Sequence, residues 1–452
     1  IVDRARAGQP MGTDGDRWVV FNGEIYNHAR LREELAARGY RFTTESDTEV
    51  LLHGYAEWGN DLPRHLDGIF AFLVYDGRRE RYLYARDPMG VKPLYHGSRE
   101  GRLYVASELK CLSALGIDGR ALPPGHLAHH EEEARYFSLS AEPVEGEDGE
   151  LVARFRHLLE TAVLKRVQTD LPVGVIFSGG IDSAAVLALA RRHHPRVAAF
   201  SVGLEGAPDL DYARRYCAEE GIPHHVRELR LDELAARVSQ LVYRVETFET
   251  VDLMDASVMA PAFELAHDHG FKVVLCGDGS DELLAGYDLF RRHPDPVALM
   301  TYRVGNLHRT DLQRVDRAAM MHTVEARVPF MDRELVRFAY RLPLRVKLRD
   351  GIEKWILRAA TDDVLPRYLA WRPKIRMPEG TGLRYQLLDR VRTRASRVDA
   401  DTLERLGVQQ SDVAYFLEQY LEHGFPMPAE RYKRPGWDFE ESGYFTFAHA
   451  GS

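Results

Sequence analysis

Short apolar runs separated by turns mark the first part of the chain, and a helical repeat of apolar positions marks most of the rest. Up to about residue 137, "RWVVFNGEIYN" is a β-type run broken by Asn-Gly, while "ARLREELAARGY" places Leu and Ala at helical spacing and ends on glycine. "GIFAFLVYDGRRERYLYARD" gives two β-rich runs joined by Asp-Gly, a hairpin signal. These patterns predict an α+β domain over 1–137 with much antiparallel sheet and one helix. The acidic, Gly- and Pro-bearing "SLSAEPVEGEDGE" over 138–150 has the composition of a linker.

From residue 151 the pattern alternates. Amphipathic segments such as "ELVARFRHLLETAVLKRV", "SAAVLALARRH", "DYARRYCAEEG" and "LDELAARVSQLVYRV" are interleaved with "VGVIFSG", "VAAFSVGL", "HHVREL" and "FKVVLCG". Short apolar strands between such helices predict an α/β domain over 151–452, with a parallel sheet covered on both faces. From about residue 283 the pattern is mainly helical.

Composition narrows the chemistry. With 452 residues, 45% hydrophobic and 29% charged, the chain suits two or more globular domains. A net charge of -9 argues against a general nucleic-acid or anionic-membrane binder and for a small-molecule partner. The three cysteines, Cys111, Cys217 and Cys276, show no C-x-x-C spacing, so neither a disulfide framework nor a zinc cage is expected, and a reducing cytoplasm fits. No stretch approaches the roughly 20 apolar residues of a membrane helix, and no secretory pattern opens the chain. The first residue is Ile1 rather than Met, which leads us to expect residues upstream of it.

Two strand ends carry candidate chemistry. In "VGVIFSGGIDS", Gly179 and Gly180 let the backbone approach an anion, the following helix aims N–H groups at it, and Ser178 and Ser183 add hydroxyl donors. A Walker loop would place a lysine after its last glycine, and none is present. Asp182 would repel bare phosphate, so a bridging Mg²⁺ is expected in the lysine's place. In "VVLCGDGSDELLAGY", Gly277, Asp278, Gly279, Ser280, Asp281 and Glu282 follow a second apolar run. Singly, each stretch also reads as an ordinary turn or solvated loop. If both strands end at one edge of a parallel sheet, the two turns meet where ligands bind.

"SGGIDS" resembles the pyrophosphate loop of the N-type ATP pyrophosphatases, which cleave ATP between its α and β phosphates. Together with "GDGSDELLAGY", "RVDRAAMMHTVEARVPFMD" and "GIEKWILR", it makes the chain similar to the class B, glutamine-dependent asparagine synthetases over nearly its whole length. The resemblance implies a carbon–nitrogen ligase. A carboxylate attacks the α-phosphorus of ATP, and nitrogen from glutamine then displaces AMP from the acyl adenylate. It implies that Ser178, Gly179, Gly180, Asp182, Ser183 and Gly277 hold pyrophosphate, and that Asp182 and Asp281 hold Mg²⁺. Ile176 and Val202 would border adenine, Lys354 would neutralise the forming pyrophosphate, and Tyr287 would order the site, although Tyr287 reads equally well as a packed core aromatic.

Asp278 stands where the family usually has Glu, and it would take a proton from the incoming amine. In "ETFETVDLMDAS" the relatives carry Thr and Arg near the substrate, whereas this chain has Val251, Asp252, Met254 and Asp255. Aspartate would want an arginine there. The small carboxylate acceptor is therefore expected to differ from aspartate.

"FNGEIYNH", "ESDTEV", "DPMGVKPLY" and "YVASELK" resemble the glutaminase half of the same family. That likeness implies an oxyanion hole of the Asn22 side chain and the Gly23 amide, with Glu24 and Asp47 on the amino-acid end of glutamine. On the residues alone, "NGE" also reads as a plain turn. The family's amidase uses an N-terminal cysteine, which would lie upstream of Ile1. Without it, the enzyme would draw on ammonia or on a substrate amine, as β-lactam synthetases and lasso-peptide cyclases do. A catalytically silent paralogue is the third reading. With a working glutaminase, ammonia would travel through the interior past "MMHTVEARVPFMD", where a Glu325–Arg327 pair would form part of the wall, although such a pair reads equally well as a structural salt bridge. The family also implies a possible homodimer. Basic residues in "WRPKIRMPEG" are expected at the surface.

Overall fold

The run through Asn22 and Gly23 is not broken. In the computed structural model, Arg17–Ile25 is one nine-residue strand. Gly23 makes this possible: its φ is 144°, and a Cβ there would lie 2.0 Å from the carbonyl oxygen of Ile69 on the neighbouring strand. The structure describes all residues except 1–2, 4–5, 14–15, 131, 374, 376–386, 388–395, 435–436 and 439–452. They form two compact units, 1–140 with 331–333, and 141–330 with 334–452.

In the first unit, six antiparallel strands lie in the order Met11–Thr13, Arg17–Ile25, Gly68–Asp76, Arg81–Arg86, His126–His129, Glu132–Arg135. A three-stranded sheet of Tyr95–Arg99, Arg102–Ala106 and Arg120–Ala121 accompanies them. The core beneath the larger sheet joins Phe70, Phe72 and Val74 to Leu31 and Leu35 of the expected helix, His28–Ala37. It also takes Val50, Leu51 and Tyr55 from a second helix, Asp47–Trp58, which corrects the expectation of one helix. The missed signal is local. The Ser46 hydroxyl caps the helix by accepting from the Thr48 N–H at 3.2 Å, Asp47 and Glu49 fill its first turn, and Gly59 follows its end.

The second unit is built on five parallel strands in the order His224–Leu229, Val197–Leu204, Val173–Ile176, Val273–Leu275, Glu325–Arg327. The helix Asp148–Arg166 opens it, starting within the acidic stretch. The helix Ile181–His193 is buried from Ile181 to Ala190, which explains its apolar content on all sides. The strand Glu325–Arg327 and a small hairpin of Leu348–Arg349 with Ile352–Glu353 interrupt the region expected to be helical. They are too short to show a period of two. No helix among the described residues is long and apolar enough to cross a membrane.

Candidate active site

Val173–Ile176 and Val273–Leu275 pair directly, with Val175 opposite Leu275. In chain order the five strands run third, second, first, fourth, fifth, so the sheet reverses direction between these two. A reversal point at the carboxyl ends of strands is where open α/β sheets leave a crevice. The cleft there is lined by Ile176, Ser178, Gly180, Asp182 and Ser183 from one turn. The other turn contributes Gly277, Asp278, Gly279 and Asp281. Val202 is buried one strand away and does not line it.

Glycine is required at three places. At Gly179, φ is 73° and a Cβ would approach the Asp209 carbonyl oxygen to 2.7 Å. At Gly277 a Cβ would come 2.9 Å from the Asp182 Cβ, so the two turns touch only because it has none. At Gly286 a Cβ would sit 2.1 Å from both Asp281 Oδ1 and Lys354 Cε. Within the first turn, the Ser178 N–H donates to Ser183 Oγ at 3.2 Å, and Ser183 Oγ donates to the Gly180 carbonyl at 3.1 Å. The helix that begins at Ile181 presents its N-terminus at this turn and carries Arg191, Arg192 and His193 in its last turn, both consistent with its dipole.

The cation absent from the loop arrives from 172 residues further along the chain. Lys354, fully buried and at φ 53°, places Nζ 2.5 Å from Asp182 Oδ2 and 2.6 Å from Asp281 Oδ1. It also donates to Ser280 Oγ at 3.2 Å. The lysine thus ties both turns together from beneath the cleft rather than lining it. Tyr287 lines the cleft, donates to Glu282 Oε1 at 2.7 Å and stacks near Phe290, so it serves as wall and as packing at once.

Opposite the phosphate turn stands a residue that sequence reasoning passed over. Arg314, on the helix Asp311–Met320, reaches Asp311 Oδ1 at 2.5 Å, Asp255 Oδ2 at 3.0 Å and Asp278 Oδ1 at 3.5 Å. An arginine does stand beside Asp255 of "ETFETVDLMDAS", but it comes from another helix, at the head of the quoted "RVDR". Its helix is pinned by a buried Arg317–Glu246 pair at 2.7 Å and by Gln313 donating to the Val245 carbonyl at 2.8 Å. Burial, with the carboxylates of Asp311 and Asp255 close by, pushes Asp278 up to about 6 against the pull of Arg314. Burial also opposes the charge on Asp311, but Arg314 and Arg303 hold its carboxyl well below the usual range.

Arg372 corrects the expectation that the basic residues of "WRPKIRMPEG" lie at the surface. It is buried, donates to the Gly179 carbonyl at 2.9 Å, pairs with Asp209 and lies 3.9 Å over the Tyr212 ring. Lys374 and Arg376 fall outside the described residues. Glu325 and Arg327 do pair, at 2.7 Å, and Arg327 also donates to the Arg166 carbonyl at 2.8 Å.

In the first unit, Asn22, Gly23 and Glu24 face Ala71, Phe70 and Ile69 across the Arg17–Ile25 and Gly68–Asp76 ladder. This is strand, not turn. The Ile25 N–H donates to Asp47 Oδ2 at 2.9 Å, which brings the start of the second helix against the end of that strand and gathers all four residues. Asn22 Nδ2 donates to Ser107 Oγ at 3.5 Å. Buried Asp87 accepts from the N–H groups of Val91 at 3.0 Å and Lys92 at 2.9 Å and so shapes the "DPMGVKPLY" loop.

Sequence comparisons agree with this architecture. A glutamine amidotransferase domain model matches residues 1–134, and an asparagine synthase model matches 154–298 and 291–446. A glutamine-hydrolysing asparagine synthetase of Arabidopsis thaliana is 33% identical over 96% of this chain and 80% of its own length. One from Lotus japonicus is 32% identical over 96% and 79%. One from Saccharomyces cerevisiae is 33% identical over 89% and 80%. With a phosphate turn, a paired carboxylate turn and both family models in order, the chain belongs to the glutamine-dependent asparagine synthetase family of ATP-using amidotransferases.

Proposed function

We propose that the parallel-sheet cleft adenylates a small carboxylate and that the product is its amide, with glutamine as nitrogen donor. The observation that carries this reading is the convergence of Asp182 and Asp281 on Lys354 beside the Gly179–Gly180 turn. An acceptor oxygen attacks the α-phosphorus of ATP, and the bond to the β-phosphate oxygen breaks to release pyrophosphate. Nitrogen then attacks the acyl carbon, AMP leaves with its oxygen, and Asp278 takes the proton lost by nitrogen. At about 6, its carboxyl is ionised at neutral pH and still basic enough for that task. Ser178, Gly180 and Ser183 orient the β and γ phosphates, and Lys354 offsets the charge that grows on them.

The donor set fits Mg²⁺, which is ordinarily held by one or two carboxylates plus substrate phosphates rather than by an all-protein cage. Two carboxylates meet on Lys354, and among the described residues no group of three or more His, Cys, Asp or Glu side chains is placed to form a metal cage of its own. Asp182 and Asp281 would hold the ion, which supplies charge neutralisation to the phosphates. In the first unit, Asn22 and the Gly23 amide steady the oxyanion of the glutamine amide, while Glu24 and Asp47 bind its amino-acid end.

The test is product analysis with ATP, a carboxylate acceptor and either glutamine or ammonium. AMP and pyrophosphate should form in equal amounts, together with glutamate when glutamine is the donor. Formation of ADP and phosphate would exclude adenylation.

A further inference from the structure

The helix Thr250–Asp268 borders two separate hollows. Asp255 lines the cleft at the sheet edge, while Ser257, two residues on and about 200° further around the helix, faces away from it. On that other face, Ser257, Pro261 and Glu264 border a groove of about 290 Å³, at the small end of ligand sites. Its opposite wall is the helix Leu231–Val245, through Leu234, Arg237 and Leu241. No described residue lines both the groove and the cleft.

The groove joins a buried apolar lining to polar groups with unused bonding capacity. Leu234, Leu241 and Ala260 supply the apolar part. Pro261 has no N–H, so the Ser257 carbonyl is left without the donor that a helix normally supplies four residues on. Glu264 accepts through Oε2, from Arg227 at 2.7 Å and Arg237 at 3.3 Å, and among the described residues its Oε1 enters no hydrogen bond. Arg237 is half exposed and gives only Nη1 to that pair, so its other N–H groups remain for a ligand. Arg244 also borders the groove but has a contact of its own. Burial favours the neutral form of the His322 ring, another lining group, so it does not repel a cation.

An open carboxylate oxygen and an open guanidinium edge thus lie side by side next to apolar surface. A plain carboxylic acid would answer Arg237 and leave Glu264 facing a like charge, and a plain amine would do the reverse. An α-amino acid carries both charges one carbon apart, with its side chain on that same carbon. We propose that this groove is a second small-molecule site, for a free α-amino acid with an apolar side chain, whose carboxylate takes Arg237 and whose ammonium takes Glu264. Binding there does not depend on the chemistry proposed for the cleft.

The test is calorimetric titration of the whole chain with leucine or methionine at millimolar concentration. Isocaproate and isoamylamine are compared with them, since they keep leucine's side chain and lack its ammonium or its carboxylate. One leucine should bind per chain, and each analogue should bind roughly tenfold or more weakly. Isocaproate or isoamylamine binding as tightly as leucine would overturn the assignment, and so would no binding of either amino acid. Arg237→Gln changes a half-exposed position, so thermal unfolding should stay the same while leucine binding weakens roughly tenfold and isoamylamine keeps its wild-type affinity. Glu264→Gln, which keeps the shape of the side chain, should weaken leucine and spare isocaproate. Leucine binding that survives both substitutions would place the amino acid elsewhere and overturn the site.

Discussion

The two candidate sites are held in place by opposite means. In the antiparallel unit, Asn22, Gly23 and Glu24 are consecutive residues of a central strand, fixed by the ladder to Gly68–Asp76, and the Ile25 amide ties Asp47 to them. In the parallel-sheet unit, the groups come from five separated stretches, and ion pairs join them: Lys354 between Asp182 and Asp281, and Arg314 among its aspartates. A site held by backbone fails when a side chain blocks the ladder. A site held by buried charge fails when any one charge is removed, because its partners are stranded without solvent.

Removing Lys354 should therefore have the largest effect. Lys354→Met leaves two facing carboxylates beside the phosphate turn and takes away the charge offset for pyrophosphate. We expect ATP-dependent pyrophosphate release to fall about 10³-fold or more, with stability lowered by about 3–5 kcal/mol as for other broken buried pairs. Pyrophosphate assay and thermal unfolding check the two parts separately, and near-normal release would remove the lysine from the mechanism.

Asp278 comes next. A carboxyl whose pKa is raised to about 6 is protonated, and useless as a base, below that pH. The rate of the amidation step should thus fall about tenfold per pH unit below 6 and level off above it, since protonation follows a single ionisation. Asp278→Asn should cost about 10²–10³-fold and abolish this pH dependence. Asp278→Glu should retain most activity, as the family's usual residue. A pH profile of single-turnover amide formation is the measurement, and an unchanged profile in Asp278→Asn would place the base elsewhere.

The counterpart in the other unit is Gly23→Ala. Its Cβ would meet the Ile69 carbonyl at 2.0 Å, so the strand must shift and the Asn22–Gly23 pair with it. Glutamine-dependent amide formation should drop about 10²-fold, whereas ammonium-supported formation should keep its wild-type rate. Equal loss with both donors would show that the two sites do not fail independently.

What the chain's text revealed divides along the same line. The three longest strands of the antiparallel unit, four of the five parallel strands and the meeting of the two glycine-bearing turns at one sheet edge were legible from apolar runs and punctuation, because these are local patterns. The helix Asp47–Trp58 was missed although its cap, Ser46, and acidic first turn were in view, since "ESDTEV" was taken only as a binding motif. The strand Glu325–Arg327 has three residues and no period to detect. The union of Lys354 with Asp182 spans 172 residues and was reachable only through resemblance. Arg314 and Arg372 carried no signal of their own, because a buried arginine and a surface arginine look alike until their partners are known.

Arg372 gives the smallest and most specific effect. Its guanidinium holds the Gly179 carbonyl at 2.9 Å, pairs with Asp209 and stacks over Tyr212. Because the peptide is planar and trans, fixing that carbonyl also fixes the opposite direction of the Gly180 N–H, which donates to Ser178 Oγ at 3.4 Å within the turn that lines the cleft. Lysine would keep the charge but has neither the fork nor the flat face needed to do all three. Arg372→Lys should accordingly raise KM for ATP about tenfold and leave kcat within about twofold, the pattern of a group that orders the loop in both ground and transition states. Steady-state pyrophosphate release resolves the two constants. An unchanged KM would mean that the phosphate turn is rigid without its brace, and that the two glycines and the Ser178–Ser183 bond suffice to shape it.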